Sequence, residues 1–250
     1  MTVRGHAEDS RLRARRCHTA SVERIGLIGG LSWESSAAYY EGLNKGVQER
    51  LGGLTSAKIV LVSVDLAEVT ALQHADDWDA IAAIVVEAAQ GAERAGADFL
   101  LLASTTIHRV YDQVAAAVAI PVVHLADLMA RRLREAGIGT VGFIGTKFTM
   151  EDTFFAERIA EAGIDVNLPD PIHLDTLDSI VYDELVFRTV TPSSRKRVLT
   201  IIDELTDAGA EGIIFGASEL SLLIRPTDLD VPILDAITVH VEDALDRALA

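Results

Sequence analysis

Two stretches decide the fold: Ile25-Gly-Leu-Ile-Gly-Gly30 and Val141-Gly-Phe-Ile-Gly-Thr146. Each is a short apolar run closed by glycine, with no alternation of apolar and polar positions. Such a run is a strand covered on both faces, as in a parallel sheet flanked by helices. Working outward, further strands are expected at 59–63, 99–103, 121–124, 164–167, 213–216 and 232–235. Helical patterns fill 33–51, 78–95, 107–118, 125–136, 148–162, 177–186, 194–208 and 237–248. The fold class is α/β.

The two halves match each other. IGLIGG at Ile25 pairs with VGFIGT at Val141. Ala95-Gly-Ala-Asp and the FLLLAS that follows pair with Ala208-Gly-Ala-Glu and GIIFGAS. Ile120-Pro-Val-Val pairs with Val231-Pro-Ile-Leu. Three matches in one order at a nearly constant offset indicate an internal duplication. We therefore expect two pseudo-twofold-related lobes, each a parallel sheet flanked by helices. Lobe 1 is 25–137 plus the C-terminal helix at about 237–250, and lobe 2 is 138–236. Ligands of open parallel sheets bind beyond the carboxyl ends of the strands. That singles out Gly29-Gly30-Leu31-Ser32, Ser104-Thr105-Thr106, Gly145-Thr146-Lys147 and Ala217-Ser218-Glu219.

Composition removes several functions. The chain has 250 residues, 49% hydrophobic and 24% charged, the usual globular mixture. No uncharged apolar run approaches the ~20 residues of a membrane-spanning helix. A formal net charge of −16 argues against nucleic acid as a partner, because nucleic acid needs a basic face. The one cysteine, Cys17, excludes an internal disulfide, a Cys-rich zinc site and any mechanism using two cysteines. It sits in a basic arm, residues 1–24, with Arg4, Arg11, Arg13, Arg15, Arg16 and Arg24. No apolar stretch follows Arg15-Arg16 closely enough for a twin-arginine signal. The arm reads as disordered or as a non-native start, and the expected location is cytoplasmic.

The candidate loops each carry two readings. Gly29-Gly30 opens a helix, where backbone N–H groups can hold a small carboxylate. It could equally be an ordinary tight turn. The spacing fails the G-x-G-x-x-G dinucleotide pattern. Ser104-Thr105-Thr106 and Ser218-Glu219 offer hydroxyls to a ligand or act as helix caps. His108 and His124 lack metal-ligand spacing, so no metal is expected. His108 is either an acid/base group or structural, and Asp65 either orients a ligand or caps a helix. No G-x-S-x-G elbow supports a serine hydrolase.

Together, IGLIGGLSWESSAAYY from Ile25, RLGGLTSAKIVLVSVDLAEV from Arg50, AGADFLLLASTTIH, IPVVHLAD, VGFIGTKFTME, IVYDEL and EGIIFGASELSLL resemble the aspartate/glutamate racemase superfamily. The likeness is to its broad-specificity amino-acid racemase branch and runs from Ile25 to the C-terminus. The resemblance implies a cofactor-independent enzyme, often dimeric. It also implies a small amino acid or carboxylate held between the lobes, with one cysteine from each lobe facing the α-carbon. One thiolate removes a proton and the other thiol returns one on the opposite face, a role suited to a group with reference pKa near ~8.5.

This chain departs from that pattern. By the resemblance, Ala103 and Ala217 stand at the two cysteine positions, Thr105 at a substrate-binding Asn and Thr176 at a Lys. Of the expected site, Ser32, Trp33, Glu34, Gln73, Thr106, His108, His124 and Glu219 remain. Gly30, Ser104 and Ser218 join them as ligand-binding candidates, and His108 and Glu219 are the candidate acid/base groups. Three histories fit: divergence to another isomerase or lyase reaction, a non-catalytic carboxylate-binding pseudoenzyme, or an engineered racemase with both cysteines changed to alanine.

Overall fold

The structure, a computed structural model, describes residues 22–250. Cys17 and most of the basic arm lie outside that range. The last arm residues are tied to the fold. The Glu23 N–H donates to the Ala248 carbonyl, and the Arg24 N–H donates to Asp98 at 2.5 Å.

Two four-stranded sheets, all parallel, form the frame. In the first, β1 (Ile25–Gly29) lies between β2 (Ile59–Ser63) and β3 (Phe99–Leu102), and β4 (Val122–Val123) pairs beyond β3. In the second, β5 (Thr140–Ile144) lies between β6 (Asp165–Asn167) and β7 (Ile213–Phe215), with β8 (Ile233–Asp235) outside β7. The strand orders 2-1-3-4 and 6-5-7-8 are the same arrangement. The duplicated sequence matches therefore fall on equivalent strands, and the expected α/β class holds.

Strand periodicity sorts the core. Ile25, Leu27, Phe99 and Leu101 face one hydrophobic cluster, which continues into the second sheet through Val141, Phe143, Ile213 and Phe215. The intervening Ile28, Leu100 and Leu102 face a second cluster on the other side of the first sheet. There, α3 (Trp78–Arg94) packs a stripe of Ile81, Val85, Ala88, Ala89 and Ala92. That spacing is one helical face, and each larger aliphatic side chain contributes about 1.5–3 kcal/mol by burial. The C-terminal helix α10 (Ala236–Ala248) returns to pack against α1 (Trp33–Leu51) and α5 (Leu125–Ala136).

Four segments differ from the sequence expectation. Helix α2 (Leu66–His74) was not foreseen, because LAEVTALQH has only a weak apolar face; the Asp65 side chain caps it by accepting from the Ala67 N–H. The expected helix 107–118 opens as a 3-10 turn, Thr106–Val110, before α4 (Tyr111–Ala117). The expected helix 148–162 divides into α6 (Lys147–Glu151) and α7 (Phe154–Ala160), because Asp152 is extended. The expected 177–186 helix is α8 (Leu174–Ser179), then a π-helical turn Ile180–Glu184 and a 3-10 turn Leu185–Phe187. Helix α9 (Pro192–Asp207) follows. Among the described residues, no helix is long and apolar enough to cross a membrane.

Candidate ligand site between the sheets

Ala103 follows β3 directly, and Ala217 lies two residues after β7. Both are buried, at 3% and 5% exposure, and both line one cavity of about 70 Å³. The volume is far below the ~300 Å³ of drug-sized pockets and suits a small ligand. The first sheet supplies Leu31, Ser32 and Ala103 to Thr106, while α1 adds Ser35 and Tyr39 and α2 adds Leu66. The second supplies Thr146, Tyr182 and Gly216 to Glu219, and α10 adds Ala236 and Ile237. The lining is hydroxyl-rich. Among the described residues it has no lysine or arginine, and Glu219 is its one carboxylate. Among the described residues no cysteine lines it; the chain's one cysteine, Cys17, lies outside them.

Glu219 closes the gap between the two sheets. Its Oε1 accepts from the hydroxyls of Ser32 and Ser35, each at 3.3 Å, and its Oε2 accepts from Ser218 at 3.2 Å. Ser35 and Ser218 meet directly at 2.9 Å. The N-terminal end of the 19-residue helix α1 thus faces a carboxylate of the protein itself, as a helix dipole favours. Ser32 holds this corner with a φ of 151°, a strained conformation for a residue with a Cβ. Its Oγ also accepts from the Ser35 N–H, and its single hydrogen is shared between Glu219 and Glu34, each at 3.3 Å.

Eight of the sequence candidates meet in the cavity: Ser32, Ala103, Ser104, Thr105, Thr106, Ala217, Ser218 and Glu219. Others are corrected. Gly30 does not line it, and its N–H donates to the Ser36 hydroxyl at 2.8 Å, so that amide is not free for a ligand. The glycine is required instead by its φ of +84° and by a Cβ position only 2.1 Å from the Val64 carbonyl. Trp33 is 66% exposed on the outside of α1, and Gln73 is buried in α2 away from the cavity. Thr176 lies in a separate depression with Lys196 and Arg197. Asp65 is a helix cap.

His108 is also outside the cavity. Its Nδ1 faces the Ser104 carbonyl at 2.8 Å, and its Nε2 accepts from the Leu125 N–H at 3.1 Å. Both ring nitrogens are committed, so the ring pins the Ser104 loop to the start of α5 and has no site left for substrate protons. Burial pulls its pKa down to about 4. His124, in edge contact with it, is lowered to about 2 by burial and by the neighbouring charges of His108, Arg158 and His240. Its Nδ1 accepts from the Ala126 N–H and so caps α5.

Thr146, from the strand-end loop at 145–147, lines the cavity as well, while sequence reasoning missed Ser35, Tyr39, Leu66, Tyr182 and the start of α10. Tyr182 reaches the cavity from the π-helical turn, an irregularity with no residue-type signal. Burial raises its phenol to about 12, and the charges of Asp178 and Glu219 add to the effect.

Twin parallel sheets of one strand order, with a small cavity at the paired strand ends, define the class. The chain belongs to the Asp/Glu/hydantoin racemase family, whose model matches residues 28–244. It is similar to an Asp/Glu racemase-type protein of Yersinia pestis at 38% identity, covering 91% of this chain and 100% of that one with a TM-score of 0.86. An aspartate racemase homologue from Pyrococcus horikoshii OT3 is 28% identical over 91% of this chain and all of its own, with a TM-score of 0.81. The broad specificity amino-acid racemase RacX of Bacillus subtilis (strain 168) is 21% identical over 178 residues, 70% of this chain and 75% of RacX.

Proposed function

We propose that the cavity binds a small amino acid or related carboxylate without a cofactor, and that Ala103 and Ala217 replace the two thiols of a racemase. The observation that carries this is the placement of two buried methyl groups, from equivalent strand ends of the two sheets, in the lining of one cavity. Inversion at an α-carbon needs an acid and a base on opposite faces, and methyl groups supply neither. Loss of both should nearly abolish two-thiol racemisation, since each such group contributes about 10²–10⁴-fold. The ligand's oxygens meet the hydroxyls of Ser104, Thr105 and Thr106, and its ammonium group meets Glu219.

The reading we favour is an isomerase- or lyase-type reaction served by one protein carboxylate, Glu219. A second reading is a binding protein without turnover. It draws on the same carboxylate, whose oxygens already accept from Ser32, Ser35 and Ser218. The deciding experiment follows α-proton exchange of small L-amino acids in deuterium oxide by NMR. Exchange in the parent protein that disappears in Glu219→Gln supports one-carboxylate chemistry. Binding without exchange in the parent favours the binding protein.

A further inference from the structure

Beneath the cavity lies a pair that the proposed chemistry does not use. Tyr39 of α1 lines the cavity at 2% exposure, and its hydroxyl meets Nδ1 of His240, on α10, at 2.9 Å. His240 is 0% exposed, and its Nε2 is buried without a hydrogen-bond partner among the described residues. Its ring lies 6.1 Å from that of His108 and edge-on to Tyr39.

A neutral imidazole has one N–H and one lone pair. A buried N–H with no acceptor is rarer in folded proteins than an acceptor left under-used. A hydrogen on Nε2 would stay stranded whether or not the cavity is filled, whereas a hydrogen on Nδ1 donates to the Tyr39 oxygen and passes the unmet donor to the phenol, a residue of the cavity lining. The phenolic hydrogen then has no acceptor among the described residues, on a side chain that forms the cavity wall.

We propose that Tyr39 is a phenolic hydrogen-bond donor to a carboxylate oxygen of the cavity ligand, and that His240 is the residue that positions it. The charge states agree. Burial, with Asp235 adding, holds the Tyr39 phenol protonated well above its ordinary range. Burial, with His108 adding, keeps His240 neutral. Among the described residues the lining has no lysine or arginine, and such a donor is a direct way to meet an anionic oxygen.

The inference rests on the carboxylate-binding reading of the cavity, so two measurements are paired. In the parent protein with nitrogen-15 histidine, NMR should show a protonated Nδ1 and an unprotonated Nε2 for His240 at neutral pH. Calorimetric titration with malonate should show binding weakened about tenfold or more in Tyr39→Phe, the loss of one hydrogen bond to a charged group. A protonated Nε2, or malonate affinity unchanged by Tyr39→Phe, overturns the proposal. If malonate does not bind the parent, the carboxylate reading of the cavity fails and the Tyr39 proposal falls with it, whatever the tautomer; malonate binding that Tyr39→Phe leaves unchanged overturns the Tyr39 proposal alone.

Discussion

The hydroxyls of Ser35 and Ser218 meet at 2.9 Å, and each also lies within hydrogen-bond distance of the Glu219 carboxylate, so their two hydrogens are shared among three contacts. This contact joins the first turn of α1 to the 3-10 turn Ser218–Leu222 after β7, so the rim of the cavity is shared by both sheets. Among the described residues, the cavity's one carboxylate thus sits at the join of the two halves.

Replacing that carboxylate separates its chemistry from its scaffolding. Glu219→Gln keeps the shape and an oxygen acceptor for the serine hydroxyls. Any proton exchange or turnover should fall by about 10²-fold or more, while the thermal midpoint moves by only a few degrees. An activity assay beside a melting curve reads both. Undiminished turnover would remove Glu219 from the chemistry.

The two methyl groups can be tested by restoring thiols. Ala103→Cys combined with Ala217→Cys should raise α-proton exchange of a small amino acid by about 10²-fold or more over the parent, and either change alone should give much less. The double variant performing no better than the parent would mean that these positions no longer face a reactive carbon.

His108 is expected to contribute to acid sensitivity, alongside His124 and His240, whose pKa values burial also lowers. Its pKa is about 4 in the fold against an ordinary value of 6.5, so the unfolded chain takes up the proton first as pH falls. Stability is full above pH 6.5 and drains away as pH falls from about 6.5 to about 4, by at most about 3 kcal/mol. His108→Gln should be less stable at neutral pH, because the ring is 2% exposed with both nitrogens bonded. Its urea midpoint should also fall less steeply over the same pH range. Parallel pH profiles for parent and variant would contradict the assignment.

Gly30→Ala tests the backbone. With φ at +84° and the Val64 carbonyl 2.1 Å from the new Cβ, the chain must shift next to the strained Ser32. We expect a loss of stability exceeding about 1–3 kcal/mol, read as a lower urea midpoint. A neutral outcome would show that the β1–α1 corner yields easily.

By itself, the sequence determined the duplicated parallel-sheet frame and the four loops at the strand ends. Uninterrupted apolar runs such as Ile25–Gly29 and the repeated Ala-Ser pairs are local signals, fixed by burial on both faces of a sheet. Hydroxyl and alanine positions next to those strands could therefore be placed in a cleft. Only the tertiary structure decided which polar groups remain available to a ligand. Gly30 and His108 look like ligand groups in sequence, but Ser36, Ser104 and Leu125 already satisfy their hydrogen bonds. Tyr39 looks like an ordinary apolar-face residue of a helix, yet α10 brings His240 to its hydroxyl across 201 positions of chain. Apolar periodicity is written between near neighbours, whereas hydrogen-bond satisfaction depends on partners that only the folded chain brings together.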